Sequence, residues 1–108
     1  MSAYNELLEF LDENEVVEGI IFGDYGWTIY GKHNPYPDVV QRKLLTIEEA
    51  KPMMKDWVFY NGYGAPECFA TNIWTNKRVI FVTQYDGSTN LNSVFRNPTE
   101  CVPDMPGG

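Results

Sequence analysis

Tyr4, Leu7, Leu8 and Leu11 recur at helical spacing behind Ser2, a residue type that caps helix N-termini. The pattern predicts a helix over 3–12 with those four residues as its buried stripe. At about 100° per residue, Asn5, Glu9 and Asp12 fall on the opposite side. Glu6 and Glu13 lie nearby, and Phe10 sits at the border. The run VVEGIIF at 16–22 reads as a first strand, apolar enough to be central or covered on both faces. Gly19 within it marks a bulge or a close backbone approach. Residues 23–26 (GDYG) read as a turn, 31–38 as a Pro- and Gly-punctuated loop, and 39–45 as a short extended piece. Thr46 and Glu49 form a capping box for a helix over 47–55, with Leu45 and Ala50 as a weak hydrophobic staple. Pro52 predicts a kink or break inside that helix.

Strands are predicted at 57–60 (WVFY), 68–75, 78–85 and 90–95. A glycine-rich loop at 61–66 follows the first, and Asn76-Lys77 turns between the second and third. In 78–85, Val79, Phe81, Thr83 and Tyr85 share one face, and Ile80 and Val82 the other. Asp86-Gly87 is a hairpin signal, and Asn97-Pro98 ends the sheet. The expected fold class is α+β: an antiparallel β-meander sheet of four to five strands with two short helices packed on one face. The 108 residues make one domain, 1–108, with an irregular Pro/Gly-rich tail over 97–108.

Charge changes this picture. The net charge is −7, and residues 1–31 hold seven acids with no Lys or Arg. Residues 32–108 hold equal numbers of acids and bases, so the whole excess belongs to the N-terminal third. Such asymmetry suits a directed electrostatic surface and disfavours direct nucleic-acid binding. An ordinary solvated helix face gives the same charge pattern. No run of 18 apolar residues and no cationic start before an apolar stretch is present, so the expectation is a cytoplasmic protein without a membrane partner.

The chemistry on offer is sparse. Cys68, Cys101 and His33 lack the paired spacing of a zinc site, so no metal and no cofactor is expected. A Cys–His pair matches no nucleophile signature, and idle thiols fit better than a disulfide. GDYG and NGYGAP lack phosphate-loop spacing and read as turns. The acids cluster on an exposed helix, which does not raise carboxyl pKa values for glycosidase work. The terminal Gly107-Gly108 follows a proline-rich approach, unlike a flexible conjugation tail. Aromatic residues crowd the loops. If those loops converge, Tyr25, Trp27, Tyr36 and Tyr63 line a shallow pocket, with Arg78 and Arg96 supplying charge to a nucleotide-like ligand. Burial at the ends of a small core explains the aromatics equally, and cross-strand ion pairs explain the arginines.

The stretches YDGSTNLNSVFRNP, CVPDMPGG and WVFYNGYGAPECFA resemble small phage and prophage proteins, over about residues 16–108. The resemblance carries no catalytic residues. It implies an accessory role of the kind in which a small acidic protein binds and blocks a host or defence component. The sequence thus favours a non-enzymatic interaction module whose Glu6, Glu9, Asp12 and Glu13 dock on a basic protein surface. A small-ligand binder ranks second and an enzyme last. The exposed edges of a meander would also suit a homodimer.

Overall fold

A computed structural model describes residues 2–26, 35–59, 67–85, 88–98 and 103. Helix α1 (Ala3–Phe10) opens the chain, followed by strand β1 (Val17–Tyr25) and helix α2 (Ile47–Met54). Strands β2 (Phe69–Thr75), β3 (Arg78–Tyr85) and β4 (Ser88–Phe95) complete it. The four strands form one antiparallel sheet in the order β1-β2-β3-β4, an α+β meander. Of the strand expected at 57–60, the described residues 57–59 form only a bridge, from Val58 to Ser2, and residue 60 lies outside the described residues. The stretches 27–34, 60–66, 86–87 and 99–102 and the tail beyond 103 lie outside the described residues. So do Trp27, His33, Tyr63, Cys101 and the Asp86-Gly87 turn.

Helix α1 is capped by Ser2, whose Oγ accepts from the Asn5 amide. It stops at Leu11, which turns extended, and Asn14 then takes a left-handed φ of 64°, a conformation asparagine tolerates. The helix is therefore two residues shorter than its apolar pattern suggests, and its buried face is rotated. Ala3 and Leu7 are fully buried, Phe10 and Leu11 pack at the core edge, and Leu8 is exposed. Leu8 lies about 140° around the helix from Ala3, so it cannot share that face. The small side chain at Ala3 hid the true centre of the stripe.

Strand β1 is an edge strand, not a central one. Its outer edge is nevertheless occupied. Ile20 exchanges backbone hydrogen bonds with Leu45 at 2.9 and 2.8 Å, and the Arg42 amide donates to the Phe22 carbonyl. The segment 41–45 thus takes up groups that an edge would leave bare. The strand also runs on through 23–25, where a turn was expected. Gly19 fulfils the bulge reading, and what comes close to it is the Leu44 side chain and not another backbone. The register shifts between Val17 and Gly19, and a Cβ there would stand 2.5 Å from Leu44 Cδ1.

In α2 the capping box is complete: the Glu49 amide donates to Thr46 Oγ1, and the Thr46 amide to Glu49 Oε1. The helix continues past Pro52 to Met54, because the proline falls near its end and removes a single backbone bond. Both helices lie over one face of the sheet. The core between them joins Leu7, Ala50 and Met54 to Ile20, Phe22, Phe69, Ile73 and Ile80. Trp57 fills its centre, edge-on to Phe22 and Phe69 at 5.7 and 5.5 Å. The alternation expected for β3 is distinct at its start, where Arg78 and Ile80 are buried and Val79 and Phe81 half-buried, and fades beyond it, where Val82 and Thr83 are both half-buried.

The orientation of α1 is testable by two neighbouring truncations. Leu7→Ala should cost about 2–5 kcal/mol by leaving a core cavity. Leu8→Ala should cost less than about 1 kcal/mol, since the side chain is half in solvent. Urea denaturation of both variants measures the difference, and equal losses would contradict the packing described.

Candidate functional site

Of the seven acids in residues 1–31, three are bound by arginines from the rest of the chain. Arg42 pairs with Asp24, Arg78 with Glu15, and Arg96 with Glu18. The four that form no ion pair among the described residues are Glu6, Glu9, Asp12 and Glu13. Glu9, Asp12 and Glu13 are exposed and Glu6 is half-buried. Only Glu6 and Glu9 stand on α1. Asp12 and Glu13 lie in the turn that follows, so the ridge crosses from helix to turn.

What holds that turn is a charge pair between residues 63 positions apart in the sequence. Arg78 forks onto Glu15, with Nη2 to Oε1 at 2.6 Å and Nε to Oε2 at 2.9 Å. Thr75 donates its hydroxyl to the same carboxylate at 2.6 Å. Glu15 Oε1 also accepts the Asp12 amide at 2.9 Å, and Arg78 Nη2 donates to the Phe10 carbonyl at 2.8 Å. The guanidinium carbon sits 4.6 Å from the Phe10 ring centre. Ser93 on β4 accepts from Arg78 Nη1. The end of α1, the turn and the β2–β3 hairpin are therefore joined at one buried point. Hydrogen bonds from Arg78, above all, pull the Glu15 carboxyl down to about 2, against the desolvation that would raise it.

Arg78 and Arg96 were the charges on which the small-ligand reading relied. Arg78 is buried on Glu15, and Arg96 bonds both Glu18 and the Thr75 carbonyl. Both guanidiniums are taken up by this chain's own acceptors, Arg78 in the interior and Arg96 at the surface. Of the four aromatics in that reading, Tyr25 and Tyr36 do come together, with ring centres 6.1 Å apart, and both rest on Phe69. Burial, then the Glu67 charge, pushes the Tyr25 phenol up to about 12. Tyr36 also donates its hydroxyl to the Asp56 carbonyl.

The thiol of Cys68 is free and buried, and burial pushes it up to about 12, so it stays protonated at neutral pH. Among the described residues, no three His, Cys, Asp or Glu side chains converge in a way that could hold a metal. No helix among them is long and apolar enough to cross a membrane. Comparison with family models, curated proteins and solved structures finds no match to any of them.

The residue that sequence reasoning missed is Glu15. It was counted with the excess acid, yet it is the carboxylate that orders the others. Its position between a turn and an apolar strand gave no local sign of burial.

Glu15 makes acid stability a direct readout. Its folded pKa lies below the ordinary 4.5, so its contribution is present above that value and fades as pH falls towards about 2. Glu15→Gln should flatten the stability profile between those limits. It should also cost about 3–5 kcal/mol at neutral pH, by leaving Arg78 buried without a counter-charge. Urea midpoints from pH 2 to 7 test both.

Proposed function

We propose that the protein is a non-enzymatic interaction module that docks through Glu6, Glu9, Asp12 and Glu13 onto a basic surface of another protein. The observation that carries this is the division of the acids. Three are paired with the chain's own arginines, Glu15 in the interior and Asp24 and Glu18 at the surface, while exposed Glu9, Asp12 and Glu13 and half-buried Glu6 form no ion pair among the described residues. Unpaired carboxylates held at fixed positions present a field that steers a cationic partner and sets its register. The clasp beneath them favours that use, because the Asp12 amide is already bonded to Glu15 and the turn's backbone therefore needs less ordering on contact. A spread of carboxylates resembles a row of phosphates in charge. A nucleic-acid-handling protein of a host or its defences is accordingly the partner class we favour, in keeping with a phage-type blocking role in the cytoplasm.

The test replaces Glu6 and Glu9 with Gln, Asp12 with Asn and Glu13 with Gln in one variant. Glu48→Gln with Glu67→Gln, equally exposed acids elsewhere, serves as control. Immobilised wild type should retain partner from bacterial lysate at low salt and release it as salt rises. The ridge variant should lose that retention and the control should keep it. Retention by the ridge variant with an unchanged salt profile removes the proposal.

A further inference from the structure

A second surface with unmet charge lies away from the ridge. A groove of about 380 Å³ runs between the segment 35–39 and the end of α2, within the size range of small-ligand sites. Val39, Pro52 and Met53 give it apolar walls, and Tyr36, Asp38 and Asp56 add polar groups. The Tyr36 hydroxyl donates to the Asp56 carbonyl at 3.3 Å and ties the two walls, while the Asp56 amide donates to the Met53 carbonyl within the second wall. Asp38 and Asp56 are exposed and form no ion pair among the described residues. Lys51 of α2 and Lys55, which caps that helix, do not supply one: they sit over the Tyr4 ring, 5.3 and 6.0 Å from its centre.

We propose that this groove accepts an arginine side chain from a basic segment of a protein partner. An apolar trough bearing two carboxylates matches a side chain with a long aliphatic stem and a terminal cation. Arginine fits better than lysine because its guanidinium is flat and weakly hydrated, so it tolerates contact with Met53 and Pro52 while meeting a carboxylate. The site shares with the ridge only the class of partner, a basic protein surface, and does not depend on α1.

The experiment titrates the isotopically labelled chain with the peptide acetyl-Gly-Arg-Gly-amide, following amide resonances by NMR. Its citrulline counterpart, equal in shape and uncharged, is run in parallel. The arginine peptide should give saturable shifts centred on 36–39 and 53–56, and the citrulline peptide should give none. Asp38→Asn with Asp56→Asn should weaken the arginine peptide about tenfold or more. The ridge variant, with α1 and its turn neutralised, should bind it as wild type does. Equal shifts from the citrulline peptide, or undiminished binding by the Asp38→Asn, Asp56→Asn variant, overturn the proposal. So do shifts that disappear when only the ridge is neutralised. Loss at the groove with retention at the ridge, or the reverse, separates this site from the docking function proposed above.

Discussion

The Glu15–Arg78 pair is the constraint on which the N-terminal third depends. Helix α1 is only eight residues long, too short to be stable alone. Its hydrophobic face docks it on the core, but that contact alone does not fix the path of the chain beyond Leu11. The clasp does. One carboxylate receives the guanidinium, the Thr75 hydroxyl and the Asp12 amide, and the guanidinium in turn reaches the Phe10 carbonyl. Two backbone groups from the helix end and turn thus close on the same ion pair. Desolvation opposes any buried charge. Here the fork geometry and the extra hydrogen bonds saturate the carboxylate, which is the condition under which such a pair holds.

The hairpin turn that supplies the clasp is itself braced. Thr75 Oγ1 accepts the amides of Lys77 and Arg78, so the same hydroxyl shapes the turn and donates to Glu15. Asn76 adds a reciprocal link: its side chain accepts the Val16 amide, and its own amide donates to the Val16 carbonyl. Arg96 extends the tie to the end of β4 by bonding Glu18 and the Thr75 carbonyl. The sheet thereby presents one rigid corner to the turn that carries Asp12 and Glu13. The anchoring of that turn at Glu15 and Val16 comes from residues some 60 positions later in the chain.

Most of the fold was legible because it is written locally. The capping box at Thr46 and Glu49, the alternation in β3 and the turn residues at 76–77 each declare themselves within a few positions. What failed had non-local causes. Leu8 looked buried because leucine outweighs alanine in an apolar count, while the sheet selects the face bearing Ala3. The apolar run of β1 suggested a central strand, but the 41–45 segment covers it instead of a fifth strand. WVFY at 57–60 has strand composition, yet Trp57 is drawn into the core, and among the described residues Val58 meets only Ser2. Helical spacing placed Glu6 and Glu9 on α1 but wrongly carried the helix on to Asp12 and Glu13, which lie in the turn. The isolation of these four acids was not legible, because it depends on which acids the distant arginines select.

That selection also revises the charge balance. Read along the chain, residues 32–108 are neutral and the N-terminal third holds all the excess. Once Arg42, Arg78 and Arg96 are bound to Asp24, Glu15 and Glu18, their charge is lent to the first third. The rest of the chain is then left with eight acids and only lysines to oppose them. Unmet carboxylate is therefore distributed over both parts of the molecule, at the ridge and again at Asp38 and Asp56. All three arginines serve the chain's own carboxylates. Lysine is a weaker competitor for a carboxylate, since it is strongly hydrated and cannot fork. A partner that brings arginine from outside therefore offers these acids the kind of contact that the fold itself uses three times.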